Sequence, residues 1–241
     1  TESYDYVIKY FAEDYAGNLE NVKTAAYHVK IDKAPPITSV VVNVPDGQND
    51  WYITNPLITL QAVDLFSGVN TTYFKWDDGA YNIYSGPINV IDQGIHTLTY
   101  YSVDNVGNTE EEQTYIFKFD DTPPVTFDNI STRWTCEDTQ IEVFDFASGN
   151  DRIYYTIDGT TPTLASPYTT NQKIHIPVSG IYTIKYFGVD AAGNIETTIH
   201  TASNQLKLDV DAPAVVSVDP SDIIFGSSNI YLEIEFYDAL S

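Results

Sequence analysis

The chain predicts an all-β protein organised as an array of small β-sandwiches, and three repeated signals carry that expectation. The pattern Asp-x-x-Gly-Asn occurs at residues 14–18, 104–108 and 190–194, with spacings of 90 and 86 residues. An alternating aromatic run precedes each copy. An acidic boundary with proline follows each one: Asp32-Lys-Ala-Pro-Pro36, Asp120-Asp-Thr-Pro-Pro124 and Asp209-Val-Asp-Ala-Pro213. A period near 90 residues with strand patterning fits one small sandwich per repeat rather than one core across 241 residues. The expected divisions are two complete repeats, 36–122 and 123–212. They are flanked by the C-terminal part of a repeat at 1–35 and the N-terminal part of a further repeat at 213–241.

Taken in order, repeat 36–122 reads as about seven short strands. Residues 40–44 form a first strand, 57–63 a second and 71–76 a third, closed by a turn at Asp77-Asp-Gly79. Residues 81–90, interrupted by Gly86-Pro87, suit an edge or linking strand, because proline cannot serve a central ladder. Residues 95–103 and 114–119 form the final hairpin around the Asp104 loop. A second recurring turn, Asp-x-x-Ser-Gly, closes the second strand at 64–68 and 145–149, and 238–241 begins a third copy. Its aspartate caps the turn and its glycine is free to take positive φ. Because Ser241 stops short of that glycine, the chain reads as a window on a longer polypeptide. Tandem immunoglobulin-like β-sandwiches in an elongated array are the fold this pattern predicts.

The strand before each Asp-x-x-Gly-Asn loop carries a sharper detail. One face presents Tyr6, Ile8, Tyr10, Ala12 and Asp14 in the first copy and His96, Leu98, Tyr100, Ser102 and Asp104 in the second. In the third it presents Tyr182, Ile184, Tyr186, Gly188 and Asp190. The residue two before the aspartate is always small, as expected where another segment packs closely. This strand resembles strand F of fibronectin type III and related sandwiches, which implies a tyrosine corner at Tyr6 and Tyr182. His96 departs from that pattern. The motifs at 64–68, 73–79 and 94–110 resemble the Ig-like repeats of bacterial and archaeal surface proteins. Within 123–212, the run from Tyr154 to Thr163 with the Asp190 loop also resembles the chitobiase/β-hexosaminidase C-terminal domain, an accessory sandwich rather than a catalytic one. The resemblance implies an extracellular or cell-surface location.

Composition narrows the function. Net charge is −23, from 34 acidic and 11 basic residues, the wrong sign for nucleic acid or anionic lipid. No run of 18 apolar residues is present, so no membrane span is expected. The single cysteine, Cys136, makes no internal disulfide and reads as a small buried hydrophobe. The four histidines, 28, 96, 175 and 200, lie at non-equivalent positions and outside any metalloprotease or nucleophile-elbow motif. No enzyme activity is expected. His96 reads as a packed histidine.

The acidic boundaries Asp32, Asp120, Asp121, Asp209 and Asp211 are the expected metal ligands. They could hold Ca2+ at inter-domain joints, with Asp64, Asp104, Asp145, Asp190 and residues 110–112 as additional donors. The competing reading is that these aspartates end strands and the prolines set the linker. Trp51, beside a polar loop, is the one tryptophan expected to be exposed and able to stack on a sugar, and Trp134 aligns with Ile53. Asn70-Thr-Thr and Asn129-Ile-Ser are glycosylation sequons expected on turns. The function these features predict is a non-catalytic extracellular structural or adhesive array, with other copies, other surface proteins or glycans as partners. An accessory carbohydrate-binding region of a secreted glycan-active enzyme is the alternative.

Overall fold

The computed structural model describes residues 3–219 and 233–237; the partial turn at 238–241 lies outside them. Every regular element among the described residues is a β-strand. The chain divides into two compact units, Thr1–Asp46 with Asp50–Phe119, and Gly47–Asn49 with Asp120–Ser241.

The first unit opens with four short strands, β1 (Tyr4–Tyr6), β2 (Lys9–Tyr10), β3 (Lys23–Thr24) and β4 (Val29–Ile31). β1 pairs with β4 and β2 with β3, both antiparallel. A hairpin alone cannot enclose a core. Its apolar residues Tyr6, Ile8, Tyr10, Val29 and Ile31 are accordingly 38% to 52% exposed.

After the Pro35-Pro36 boundary come β5 (Ile37–Val41) and β6 (Thr59–Val63), an antiparallel pair. β7 (Val69–Trp76), β8 (Asn82–Ile83), β9 (Gly94–Asp104) and β10 (Gln113–Phe119) form a second sheet in the order β10-β9-β7-β8. Alternation along β9 and β10 sends Leu98, Tyr100, Phe117 and Phe119 inward, against Ile58 and Leu60 beside and within β6. Ile58, Leu98 and Phe117 are wholly buried, and burial of each such side chain stabilises the unit by about 1.5–3 kcal/mol. Four strands fall within two residues of their expected positions. The first begins at Ile37 rather than residue 40, because Thr38 is held by a carboxylate from the β9–β10 loop as well as by β6. Between residues 81 and 90 only β8 and an isolated Ile58–Ile88 bridge pair, as the Gly-Pro interruption requires.

The second unit contains β11 (Val125–Asp128), β12 (Trp134–Thr135), β13 (Thr139–Phe144), β14 (Asn150–Thr156) and β15 (Tyr168–Thr169). It continues with β16 (Lys173–Ile174), β17 (Gly180–Tyr182), β18 (Lys185–Asp190), β19 (His200–Thr201) and β20 (Leu206–Leu208). Three sheets result, β11-β13-β16, β15-β14-β18-β19 and β12-β20-β17. The run expected as one strand from 182 to 190 is divided. β17 pairs with β20, whereas β18 pairs with β14, so the chain changes sheet at residues 183–184. Ile141, Ile153, Ile174, Ile184, Tyr186, Leu206 and Leu208 form the core they enclose. β21 (Ala214–Asp219) and β22 (Glu233–Tyr237) follow as an antiparallel ribbon.

Tyr182 makes the corner bond expected of it, its hydroxyl donating to the Val178 carbonyl at 2.7 Å. Tyr6 stacks on Tyr4, with ring centroids 5.5 Å apart; the residue four before it lies outside the described residues. His96 turns its Nδ1 to Asp77, 2.8 Å away, and stands edge-on to Trp76. Its side chain is 13% exposed, in keeping with a packed histidine. Cys136, expected to be buried, is exposed, because it lies just beyond the short β12 rather than on an inward-facing strand position.

Candidate functional site

Each Asp-x-x-Gly-Asn loop is built by its own aspartate. In the first, Asp14 Oδ1 accepts from the amides of Ala16 and Asn18, and Oδ2 accepts from Asn18 Nδ2. Asp104 accepts the equivalent bonds from Val106 and Asn108, and Asp190 from Asn194, with Gly193 donating to it in place of Ala192, whose amide goes to Ser148 Oγ. Gly17, Gly107 and Gly193 have φ of 85°, 97° and 97°, a conformation that glycine adopts at little cost. The Asp-x-x-Ser-Gly turns follow the same logic. Asp64 Oδ1 accepts from Gly68 at 2.6 Å, and Asp145 Oδ1 from Gly149 at 2.7 Å.

These loops converge with the boundary aspartates. Asp32, Asp64 and Asp104 offer carboxylate oxygens within 4.8 Å of one another, and Asp120, Asp145 and Asp190 do the same. In the first group, Asp32 Oδ2 accepts from the Ser67 amide at 2.8 Å, and its carbonyl accepts from Asn108 Nδ2. In the second, Asp120 Oδ2 accepts from the Ser148 amide at 2.9 Å, and its carbonyl accepts from Asn194 Nδ2 at 2.8 Å. Asp104, Asp120 and Asp190 are wholly buried. No lysine, arginine or histidine among the described residues is ion-paired with any of the six.

Electrostatics distinguishes the two groups. The Ser3 hydroxyl, with help from Ser67 and the Ala34 amide, lowers the Asp32 pKa to about 2 against the cost of desolvation. Desolvation opposes charge on Asp104 too, yet its bonds from Asn108 and Val106 leave its pKa below the ordinary value. At Asp190 desolvation wins. With the nearby Asp120 charge it raises the pKa despite the bonds from Asn194 and Gly193. The charged form of Asp190 is thus disfavoured as it stands, and an oxygen-seeking divalent cation among these carboxylates would favour it.

Of the five boundary aspartates read from sequence, Asp32 and Asp120 thus enter three-carboxylate groups. Asp209 repeats their local turn, with Oδ1 accepting from the Asp211 amide, and also lies 3.4 Å from the Ser179 hydroxyl. Asp121 accepts from Thr122, and Asp121, Asp209 and Asp211 join no such group among the described residues. Glu110 is turned away from the first group and bonds to Thr38. Sequence reasoning missed that contact, although a glutamate stands two residues after Asn in all three loops, at Glu20, Glu110 and Glu196.

Trp51 is 6% exposed, which corrects the expectation of a solvent-facing ring. The adjacent Tyr52 amide donates to the Lys118 carbonyl, which draws this segment against the last strand instead of leaving it at a loop tip. The Tyr52–Phe119 bridge corresponds to the Thr135–Leu208 pair, so Trp134 aligns with Trp51 rather than with Ile53. Asn70 is exposed but lies in β7 at an irregularity in its pairing, not on a turn. Asn129 is exposed in the segment after β11.

Each histidine is paired with an acid: His28 with Asp5, His96 with Asp77, His175 with Asp138 and His200 with Glu196. An open cleft of about 340 Å3 is lined by Tyr155, Ile157, Asp158, Thr160, His175 and Pro177, among others. No curated protein matches the chain. Residues 135–201, which include this cleft and the Asp145 and Asp190 loops, match the family model of the chitobiase/beta-hexosaminidase C-terminal domain, an Ig-like accessory domain.

Proposed function

We propose that the chain is a non-catalytic segment of an extracellular structural or adhesive array, in which tandem Ig-like sandwiches provide reach, stiffness and lateral contacts. The observation that carries this reading is the recurrence of one three-aspartate arrangement in both units. Each time, a boundary aspartate is seated on the Asp-x-x-Ser-Gly and Asp-x-x-Gly-Asn loops of the repeat that follows it. A joint made twice from the same parts suits modules meant to be strung together. Other copies or other surface proteins are the partners this reading implies. Solution scattering is the direct test: the expected profile is that of an elongated particle, and a globular profile would refute the array.

In this reading the groups Asp32–Asp64–Asp104 and Asp120–Asp145–Asp190 each bind a divalent cation. Ca2+ is the best match, since it takes six to eight oxygen ligands at about 2.3–2.6 Å. The ion would offset the repulsion among buried carboxylates and stiffen the joint. Calorimetry with CaCl2 and with EDTA checks this. A melting temperature higher in calcium is expected, with the gain abolished by Asp145→Asn and Asp64→Asn together. Identical melting in both buffers would end the calcium reading and leave the array to scattering.

The family match at 135–201 favours one second reading, an accessory region of a secreted glycan-active protein. Within it, the cleft bounded by Tyr155, Asp158 and His175 is the candidate sugar surface. His175 has a side chain that is 72% exposed, so His175→Ala should leave the fold intact. Retention on insoluble polysaccharide that falls in this variant would support the second reading. Absence of retention would exclude it.

A further inference from the structure

Glu110 and Glu196 occupy the same position in their repeats and share a set of bonds, to which Glu196 adds a contact of 2.9 Å between Oε1 and His200 Nε2. Glu110 Oε1 accepts from the Thr38 amide at 2.8 Å, and Oε2 accepts from the Thr38 hydroxyl at 2.6 Å and the Ser102 amide at 3.1 Å. Glu196 Oε1 accepts from the Thr126 amide at 3.0 Å, and Oε2 accepts from the Thr126 hydroxyl at 2.5 Å and the Gly188 amide at 2.9 Å. Thr38 and Thr126 lie in β5 and β11, the first strand of each complete repeat. Ser102 and Gly188 lie in β9 and β18, in a different sheet. Each glutamate therefore ties the first strand of one sheet to a central strand of another.

The surroundings are fitted to this tie. Thr38, Ser102, Thr126, Gly188 and Glu196 are all buried. A Cβ at Gly188 would stand 2.7 Å from Thr126 Cγ2, so the small residue two before the aspartate makes room for the threonine. In the first unit Ser102 Oγ adds contacts at 2.7 Å to Thr38 Oγ1 and 2.8 Å to Thr72 Oγ1. Glu20 shows the motif without the partner strand: it is exposed and pairs with Lys23 instead. The chain has one cysteine, so no disulfide within it can cross-link the sheets.

We propose that Glu110 and Glu196 are inter-sheet clasps that set the order in which each repeat opens, holding the first strand until the carboxylate lets go. The first strand is the natural release point. Among the described residues β5 pairs only with β6, and β11 only with β13, whereas β9 and β18 each pair with two neighbours in a four-stranded sheet. Loss of the clasp frees β5 or β11 and leaves the four-stranded sheet closed. In a chain pulled from its ends, force reaches each repeat through this strand. The clasp then decides whether the repeat yields by a short first step or holds until it opens as a whole. The claim rests on bonds inside each unit and holds whichever functional reading is correct.

Amide hydrogen exchange of the full chain tests it, resolved by peptide, with Glu196→Gln, Glu110→Gln, the near-isosteric Thr126→Val and Glu20→Gln as control. Glu196→Gln and Thr126→Val are expected to raise exchange in residues 125–128 by about tenfold or more, while β14 and β18 keep their protection. Glu110→Gln should do the same for residues 37–41, and Glu20→Gln should change nothing in either complete repeat. Thr126→Val keeps the packing and removes only the hydroxyl bond, so it reports even if a glutamine variant fails to fold. A uniform rise across all strands of the repeat, or no rise in the first strand, would overturn the proposal.

Discussion

Gly188→Ala offers a quantitative probe of the sandwich interior. The new Cβ would stand 2.7 Å from Thr126 Cγ2 and 3.2 Å from Pro124 Cγ. Carbon atoms in contact prefer about 3.5–4.0 Å, so β11 must retreat by roughly an ångström or β18 must bend. Overpacking of this kind costs about 1–3 kcal/mol. For a domain of this size each kcal/mol corresponds to roughly 4–8 °C in melting temperature. Backbone strain adds nothing, since Gly188 is not among the positive-φ glycines. The compensating change is Thr126→Ser, which removes Cγ2 and keeps the hydroxyl for Glu196 Oε2. Differential scanning calorimetry of wild type, both single variants and the double variant forms a cycle. The double variant is expected to recover at least half of the loss caused by Gly188→Ala. A neutral Gly188→Ala, or a double variant no better than the sum of the singles, would refute the packing argument.

Three further outcomes are expected. Tyr182→Phe should lower stability by about 1 kcal/mol through loss of the bond to Val178, as urea denaturation measures. Burial opposes charge on His96, yet the hydrogen bond and charge of Asp77 and the charge of Asp92 raise its pKa above 6.5. That contribution is fully present below 6.5 and lost as pH rises through the folded value, so urea midpoints should fall across this window and Asp77→Asn should flatten the dependence. Asp32, lowered from 3.8 to about 2, contributes stability that is present above 3.8 and lost as pH falls through 2. Ser3→Ala should move its carboxyl titration, followed by NMR, back toward 3.8.

The periodic elements were legible because they depend on local chemistry. An aspartate that accepts its own loop amides, a glycine that takes positive φ and a strand of alternating aromatics need no distant partner, so Asp64 and Asp145 were read correctly as turn caps. The small residues Ala12, Ser102 and Gly188 announced a close neighbour without naming it. Placement against distant chain was harder to read. Trp51 beside a polar loop looked exposed, but a backbone bond from Tyr52 to a strand residue 66 positions later fixes its segment. Cys136 looked like core, yet β12 ends before reaching it.

By itself the sequence determined that the chain is all-β, where its turns fall and which aspartates build them, because turn chemistry and strand alternation act over a few residues. Only the tertiary structure decided which carboxylates stand together. Asp32 meets Asp64 and Asp104, and Asp120 meets Asp145 and Asp190, across up to 72 residues of chain. It also decided that Glu110 and Glu196 face threonines instead of joining those groups. The physical reason is that a carboxylate's partner is set by how sheets stack and where loops converge, and one-dimensional spacing carries no record of either.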